Sequence, residues 1–203
     1  MRKSMVVAVV CLVGLMAQAA GAQVVNESTA RSALFAPRGL DVRFVNTERL
    51  SENDRALLPA LEREMERSDQ VFYYGATALA PDEGFMSNTN QIAANHHSLA
   101  AAEAAALAAC NAARQSSTPC VVVGHIIPRK YEPGRAIQLG QAATADFRRN
   151  YRRGRGPKAF AISPSTGQWG IGKGDGAAEA ALSACTNQRG QGGATDCNII
   201  IND

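Results

Sequence analysis

The sequence predicts an α+β fold built from duplicated β-hairpin–helix–strand units that form a mixed or antiparallel sheet with helices on one side. The first observation is an internal repeat, because the block AALAAC at residues 105–110 returns as AALSAC at residues 180–185. The second is that an Ala-Ala-Glu triplet precedes each block, at residues 101–103 and 177–179. The third is that a polar loop, a second cysteine and an aliphatic run follow each block.

Two helices and a strand are expected ahead of the first copy. Residues 28–34 indicate a short helix, and residues 40–45 alternate between apolar and polar side chains as a strand does. Ser51 followed by Asp54 is typical of a helix start. Pro59 is expected to kink or restart that helix, because proline lacks the backbone N–H that a helix interior uses.

The first copy reads as a hairpin, a helix and a strand. Its predicted elements are, in order, a strand at residues 71–80, a turn at 81–84, a return strand at 91–94, a helix at 99–113 and a buried strand at 119–127. Aromatic and β-branched residues favour strands, the sequence PDEG is turn chemistry, and alanine has the highest helix propensity. Ser98 is the expected N-cap of the helix.

The second copy repeats this order. Its predicted elements are a strand at residues 159–163, a turn at 164–167, a strand at 169–173, a helix at 177–187 and a strand at 198–201. The glycines at positions 167, 172 and 174 are interpreted as allowing a close strand-to-helix turn. A phosphate-binding loop is disfavoured there because Gly174 stands where that motif needs Ser or Thr.

The N-terminus has the pattern of a secretory signal peptide. Arg2 and Lys3 precede an apolar run at residues 5–16, which is too short to span a bilayer. Cleavage is expected between Ala22 and Gln23, which predicts a periplasmic or secreted protein without a transmembrane segment in the mature chain. The predicted organisation is a signal peptide at residues 1–22 and one compact domain at 23–203, divided into an N-terminal segment at 23–69, a first copy at 70–128, a basic linker at 129–157 and a second copy at 158–203.

The cysteine count changes when the signal peptide is removed. Cys11 is lost and four cysteines remain, which in an exported chain predicts two disulfides. Of the three possible connectivities, the repeat selects Cys110–Cys120 and Cys185–Cys197, because each copy has one cysteine at its helix end and one before its last strand. A zinc site is disfavoured because C-x2-C spacing is absent, and no metal or cofactor is expected.

Net charge argues against nucleic acid as a partner. The formal charge of +3 includes Arg2 and Lys3, so the mature chain is expected to carry only +1. Positive charge is nevertheless concentrated in the basic linker. A helix is predicted there over residues 141–151, because Ala143, Phe147 and Tyr151 fall on one face that can pack inward.

The candidate anion-binding residues are five arginines on the outer face and exit of that helix: Arg148, Arg149, Arg152, Arg153 and Arg155. Guanidinium groups bind phosphate and carboxylate through two hydrogen bonds, and bacterial envelopes present both. Two other interpretations stay open. The arginines could form a solvated helix face, or they could pair internally with the acidic stretch that contains Glu62, Glu64 and Glu66.

The histidines offer a second candidate for chemistry. His96 and His97 precede the first repeat helix, and His125 lies on a predicted strand. Adjacent side chains point to opposite sides of most backbones, so His96 and His97 are not expected to share a metal ion, and a satisfied or solvated pair is the expected reading. No nucleophile elbow or H-E-x-x-H motif is found in the sequence, so catalytic residues are unknown.

The second copy resembles a known family. Residues 159–203 combine the sequence SPSTGQWG, an Ala-Glu helix, Cys185 and a final strand after Cys197. In this combination the chain resembles the bacterial domain of unknown function number 4189, and the first copy is a degenerate match. The resemblance covers a little over half of the mature chain. It implies a small exported protein with such a cysteine pair and no established activity.

Chains that resemble this one sometimes carry the label 5-aminolevulinate synthase, and the residues argue against that activity. The reaction needs pyridoxal phosphate held by a lysine in a large cytosolic fold. An exported chain of this length, with lysines only at positions 130, 158 and 173 after the signal peptide, does not meet that need.

The sequence therefore predicts a non-catalytic, disulfide-bonded interaction module of the bacterial cell envelope. Its partner is expected to be an envelope component of unknown identity, and the arginines make an anionic component the candidate. The alternative is a secreted enzyme of unknown chemistry. A cleft in which several polar groups converge would favour the enzyme, whereas a flat charged or apolar surface would favour the binding module.

Overall fold

The computed structural model describes residues 24–70, 72–188 and 193–203 of the 203-residue chain. Within these ranges the chain forms five α-helices and two antiparallel sheets, so the α+β class is confirmed. The predicted signal peptide, the cleavage site between Ala22 and Gln23, and Val71 at the start of a predicted strand lie outside the described residues. No described helix combines the length and apolar character needed to cross a membrane.

The elements follow the predicted order. The helices are α1 Glu27–Ala33, α2 Glu52–Arg67, α3 Leu99–Ala113, α4 Gln141–Arg149 and α5 Ala177–Thr186, with 3-10 turns at Thr47–Arg49 and Tyr151–Arg153. The strands are β1 Leu40–Phe44, β2 Gly75–Leu79, β3 Gln91–Ala93, β4 Val121–Pro128, β5 Lys158–Ile162, β6 Trp169–Lys173 and β7 Asn198–Asn202. Helix α3 and strand β6 have the predicted bounds.

The predicted signals at two helix starts act as expected, whereas the restart predicted at Pro59 inside α2 does not occur. The hydroxyl of Ser98 accepts the N–H of Ala101 at 3.1 Å, and that of Ser51 accepts the N–H of Asp54 at 3.1 Å. The predicted restart at Pro59 is wrong, because α2 is continuous through it. Pro59 lies on the exposed side of the helix, where water can hydrate the carbonyl group that loses its partner.

The prediction of one sheet shared by both copies is wrong. Strands β1, β4, β2 and β3 form one sheet in that order, and β6, β5 and β7 form another. Both sheets are antiparallel, as predicted. On one side of each sheet a segment from the N-terminal part of the chain is added, because β1 pairs along β4 and Val25 forms an isolated bridge to Ile201 on β7.

The two sheets have the same local arrangement. In each, the first strand of a hairpin lies between its return strand and the strand that follows the helix. The β2–β4 ladder and the β5–β7 ladder each shift register once. The residue without a partner at the shift is Val123 in the first ladder and Ile200 in the second. We call residues 70–128 and 158–203, each with its hairpin, helix, strand and disulfide, the two units. Val123 and Ile200 are buried, and each is three positions after the second cysteine of its unit.

Helices cover both faces of the sheets, which corrects the prediction of helices on one side. The alanine face of β2 packs against α3 and the alanine face of β5 packs against α5. The alternate positions include larger side chains, Leu79 in β2 and Phe160 in β5, which pack away from these helices. Leu79 joins a cluster with Leu58 and Leu61 of α2, and Phe160 joins a cluster with Phe147 of α4.

Two close cysteine pairs support the predicted disulfides. The Cα atoms of Cys110 and Cys120 are 6.1 Å apart, and those of Cys185 and Cys197 are 6.2 Å apart, within the range for disulfide bonds. Each bond joins a buried cysteine near the C-terminal end of a helix to the residue directly before the next strand. The chain-entropy model gives each closed loop about 3 kcal/mol of stabilisation.

Glycines in β6 let α5 lie directly on the strand backbone. A Cβ atom at Gly170 would be 2.2 Å from the carbonyl oxygen of Ala181, and one at Gly172 would be 1.8 Å from that of Ala177. Both distances are far below van der Waals contact, and the obstructing atoms belong to the helix backbone. Gly172, one of the glycines predicted to allow a close strand-to-helix turn, lies within β6, where it allows close packing of the helix on the strand.

We expect Gly172→Ala to destabilise the protein by about 3 kcal/mol or more, because α5 would have to move off the sheet. Gly124→Ala is the matched control, since its Cβ would be 3.5 Å from Phe44 and Thr77, an ordinary contact distance. Urea denaturation of both oxidised variants measures the difference. Equal stabilities would contradict the close helix-to-strand packing.

Candidate functional site

The two units meet at a short connection between β3 and α3, residues 95–97, which we call the seam segment. Asn95 has a left-handed backbone with φ of 63°. Its Oδ1 accepts the backbone N–H of Ala142 at 3.0 Å, so it caps a helix whose own N-cap residue, Gly140, has no side chain. The backbone N–H of His96 donates to the carbonyl of Tyr74 at 3.1 Å.

His97 connects three parts of the chain through one buried ring. The backbone N–H of Gly140 donates to Nδ1 of His97 at 3.1 Å. The proton of the neutral imidazole is therefore on Nε2. Nε2 then donates to the carbonyl of Gln168 at 3.0 Å. Burial, assisted by the neighbouring His96, lowers the pKa of His97 to about 4 although the Gln168 carbonyl opposes the shift.

His96 differs from its neighbour because its buried Nδ1 has no hydrogen-bond partner among the described residues. The residue is only 8 % exposed, and burial lowers its pKa below the ordinary value. It lines a cleft of about 340 Å³ between the two units. The other polar and aromatic side chains that line this inter-unit cleft are Asn95, Thr166, Gln168, Trp169 and Gln188.

The side chains of His96 and His97 make no hydrogen bond to a Ser, Cys, Asp or Glu side chain among the described residues. In the described ranges, no group of three or more His, Cys, Asp or Glu residues could hold a metal ion. The hydroxyl of the buried Ser163 donates to Asp196 rather than to a histidine, and it accepts the hydroxyl of Thr166 at 2.7 Å. His125 lies elsewhere, with its Nε2 2.7 Å from Glu103.

The lowered pKa of Asp196 is explained by the hydrogen bonds that its carboxylate accepts. Burial alone would raise its pKa, but hydrogen bonds from Ser163 and Ser165 outweigh that effect and lower it. The backbone N–H of Ser165 donates to Oδ2 at 2.9 Å. The carboxylate therefore holds the turn at residues 164–167, which forms one wall of the inter-unit cleft.

The predicted arginine cluster lies at the end of α4 and the 3-10 turn that follows. Arg148, Arg149, Arg152, Arg153 and Arg155 are all exposed. Phe147 and Tyr151 are buried and stack with ring centroids 5.3 Å apart, so the inward face is as predicted. Cations at this position interact favourably with the carbonyl groups at the helix C-terminus.

Only two of the five arginines have partners in the described part of the chain. Nε of Arg152 is 3.5 Å from Oε1 of Glu27, and Nη2 of Arg148 donates to the carbonyl of Phe35 at 3.1 Å. No ion pair there joins the five arginines to Glu62, Glu64 or Glu66, so Glu27 is the observed internal partner. The side chains of the other three, Arg149, Arg153 and Arg155, make no hydrogen bond or ion pair with a described residue.

The fold brings a sixth arginine to this surface. A shallow, open cleft of about 390 Å³ is lined by Pro37, Arg38, Ala145, Arg148, Arg149 and Arg153, which we call the arginine surface. None of its lining residues is acidic. Arg38 was not anticipated from the sequence, because it lies more than a hundred residues before the cluster and no local pattern connects them.

Comparisons with family models, curated protein sequences and solved structures found no match to this chain. The resemblance to the domain of unknown function number 4189 therefore remains a prediction from the motifs quoted above.

The buried state of His97 predicts a pH-dependent stability. Its pKa is about 4 in the fold and 6.5 ordinarily, so in this interval the unfolded chain binds a proton that the folded chain does not. Stability should fall as the pH falls from about 6.5 to about 4, by up to about 1.4 kcal/mol per pH unit for this group. Urea denaturation across this range measures the slope, and NMR titration of the His97 ring gives its midpoint. A midpoint near 6.5 would contradict the buried neutral imidazole.

Proposed function

We propose that this chain is an exported, non-catalytic binding module of the bacterial cell envelope, which recognises an anionic envelope component through the arginine surface. The observation that carries the proposal is the convergence of Arg38, Arg148, Arg149 and Arg153 on one open cleft without an acidic lining residue. Arginine forks match the geometry of phosphate and carboxylate groups. Arg149 and Arg153 have no partner among the described residues, so they are available to such a ligand.

Export is part of the proposal and is supported by two features. The N-terminal residues 1–22 have the order of charge, apolar run and small residues that signal peptides have. The two close cysteine pairs fit an oxidising compartment, because disulfides are rare in reducing cytosol.

We infer in addition that the two units arose by duplication of one hairpin–helix–strand unit and that the chain is a member of the resembled family. Three coincidences support the duplication. Both helices bury the same pattern of Ala, Ala and Cys at four-residue spacing, Ala102, Ala106 and Cys110 in α3 and Ala177, Ala181 and Cys185 in α5. Both disulfides join equivalent positions. Both central ladders shift register three residues after the second cysteine.

The inter-unit cleft favours a second candidate, a secreted enzyme of unknown chemistry, because polar side chains converge there. Among the residues that line it, however, His96 is the single titratable group. A nucleophile is normally activated by an adjacent base, and the one hydroxyl group that lines the cleft, that of Thr166, donates to Ser163 rather than to His96. The cleft therefore gives better support to binding than to catalysis.

Replacing Arg149 and Arg153 together with Gln should weaken binding to vesicles that contain phosphatidylglycerol. Each basic residue near an anionic membrane contributes about 1 kcal/mol, so the double variant should lose about 2 kcal/mol, which is roughly 30-fold in affinity at low salt. Thermal stability should hardly change, because neither side chain has a partner among the described residues. Vesicle sedimentation at two salt concentrations measures the effect.

The matched control is Arg63→Gln with Arg67→Gln, which removes the same charge from the exposed side of α2. It should weaken vesicle binding much less than the double variant of the arginine surface. Equal losses from both pairs would attribute binding to net charge and overturn the proposed site. Binding that neither salt nor mutation changes would also overturn it.

Expression of the full chain in a Gram-negative host tests export. The mature protein should appear in the periplasm or medium with Gln23 as its first residue, as measured by mass spectrometry of the N-terminal peptide. Ala22→Leu should leave the precursor uncleaved, because signal peptidase requires a small residue at that position. Accumulation in the cytoplasm of a chain that begins at Met1 would contradict export.

A further inference from the structure

The inter-unit cleft is uncharged. None of its nine lining residues is Asp, Glu, Lys or Arg. His96 is the one residue there that could acquire a charge, and burial lowers its pKa, which favours the neutral ring at neutral pH. An ionic ligand would lose hydration here without gaining a counter-charge, so the cleft disfavours both anions and cations.

Hydrogen-bonding groups nevertheless concentrate in this cleft. Nδ1 of His96 is buried and has no partner among the described residues. The carboxamide oxygen of Gln188 accepts the backbone N–H of Trp169 at 3.0 Å, and that of Asn95 accepts the N–H of Ala142. The amide nitrogens of Gln188 and Asn95 make no hydrogen bond with a described residue. The side chains of Asn95 and Gln188, which line the cleft, therefore keep donors for a ligand, and His96 adds a buried ring nitrogen that has no partner.

Trp169 adds an aromatic wall to this polar lining. Its ring is held in place by a hydrogen bond of 2.8 Å from Nε1 to Oδ2 of Asp146, and it is partly exposed. An aromatic side chain with its polar edge already satisfied offers its apolar surface to a ligand. A matching ligand therefore needs one apolar face and several neutral donors and acceptors around its edge.

We infer that the inter-unit cleft binds a neutral saccharide, with its C–H face against Trp169 and its hydroxyl or acetamido groups hydrogen-bonded to His96, Asn95 and Gln188. A sugar ring combines an apolar face with neutral groups that both donate and accept hydrogen bonds. It can therefore stack on Trp169 and supply the hydrogen-bond partners that these three polar side chains do not have. The volume of about 340 Å³ lies at the lower end of small-molecule sites and fits one or two rings. This site is separate from the arginine surface and does not depend on it.

The chain offers a direct probe, because Trp169 is its one tryptophan. Titration of the protein with N-acetylglucosamine and its β-1,4-linked disaccharide should change Trp169 fluorescence in a saturable manner. The carboxylate-bearing glucuronic acid should bind at least tenfold more weakly than N-acetylglucosamine. Absence of a saturable change with both neutral sugars would overturn the inference. Tighter binding of glucuronic acid, lost at high salt, would overturn it as well.

Gln188→Glu tests the cleft with little risk to the fold. The carboxylate keeps an acceptor for the N–H of Trp169 but removes the amide donor and adds a charge. We expect at least tenfold weaker binding of the disaccharide and an unchanged Tm. His96→Gln, which replaces the imidazole with a shorter neutral group, should weaken binding similarly.

The control pair Arg63→Gln with Arg67→Gln lies on α2, away from the cleft, and should bind the disaccharide as the unmodified protein does. Chemical-shift changes on titration should centre on residues 93–96, 166–169 and 188. If both cleft variants fold and bind the disaccharide with unchanged affinity, the site is not where the sugar binds and the inference fails.

Discussion

Close backbone passage at the seam segment is the constraint on which the rest of the structure depends. A Cβ atom at Gly140 would be 2.7 Å from the carbonyl oxygen of Asn95, and one at Gly167 would be 2.6 Å from the same atom. The seam segment therefore runs between two glycines that belong to different parts of the chain. Gly167 also has a positive φ of 77°, which glycine adopts without strain. A side chain at Gly167 would push the two units apart, and one at Gly140 would push the start of α4 away from the seam segment.

The arginine surface depends on the seam through helix α4. Asn95 caps the N-terminus of α4 and His97 accepts the N–H of its N-cap residue, Gly140. These bonds satisfy backbone donors that a helix start leaves free, and they fix where the helix begins. Its other end then carries Arg148 and Arg149 beside Arg38. A neutral His97 suits this role, since a buried imidazolium would need a counter-charge that its bonded neighbours do not provide.

Sequence patterns were sufficient for features that arise from nearby residues. The cap at Ser98, the alanine face of α3 and the close cysteine pairs all follow from local spacing or from the repeat. Features that depend on distant contacts could not be predicted in this way. The pairing of β1 with the distant β4 and the approach of Arg38 and Glu27 to the arginine cluster both join residues far apart in the chain. The inter-unit cleft likewise combines side chains from both units, so no continuous motif encodes it.

Both candidate sites are connected to α4, yet they should act independently. The N-terminal end of the helix adjoins the neutral inter-unit cleft, and its C-terminal end carries the arginines. Nine residues at 1.5 Å per residue separate these ends by about 13 Å. This distance exceeds the Debye length of about 8 Å at physiological ionic strength, so dissolved salt largely screens the electrostatic field of the arginines at the cleft. A neutral ligand would in any case respond little to that field. The arginine surface proposed for anions and the cleft proposed for a neutral sugar therefore have different chemistry and lie at opposite ends of α4, so the two proposed ligands would not compete.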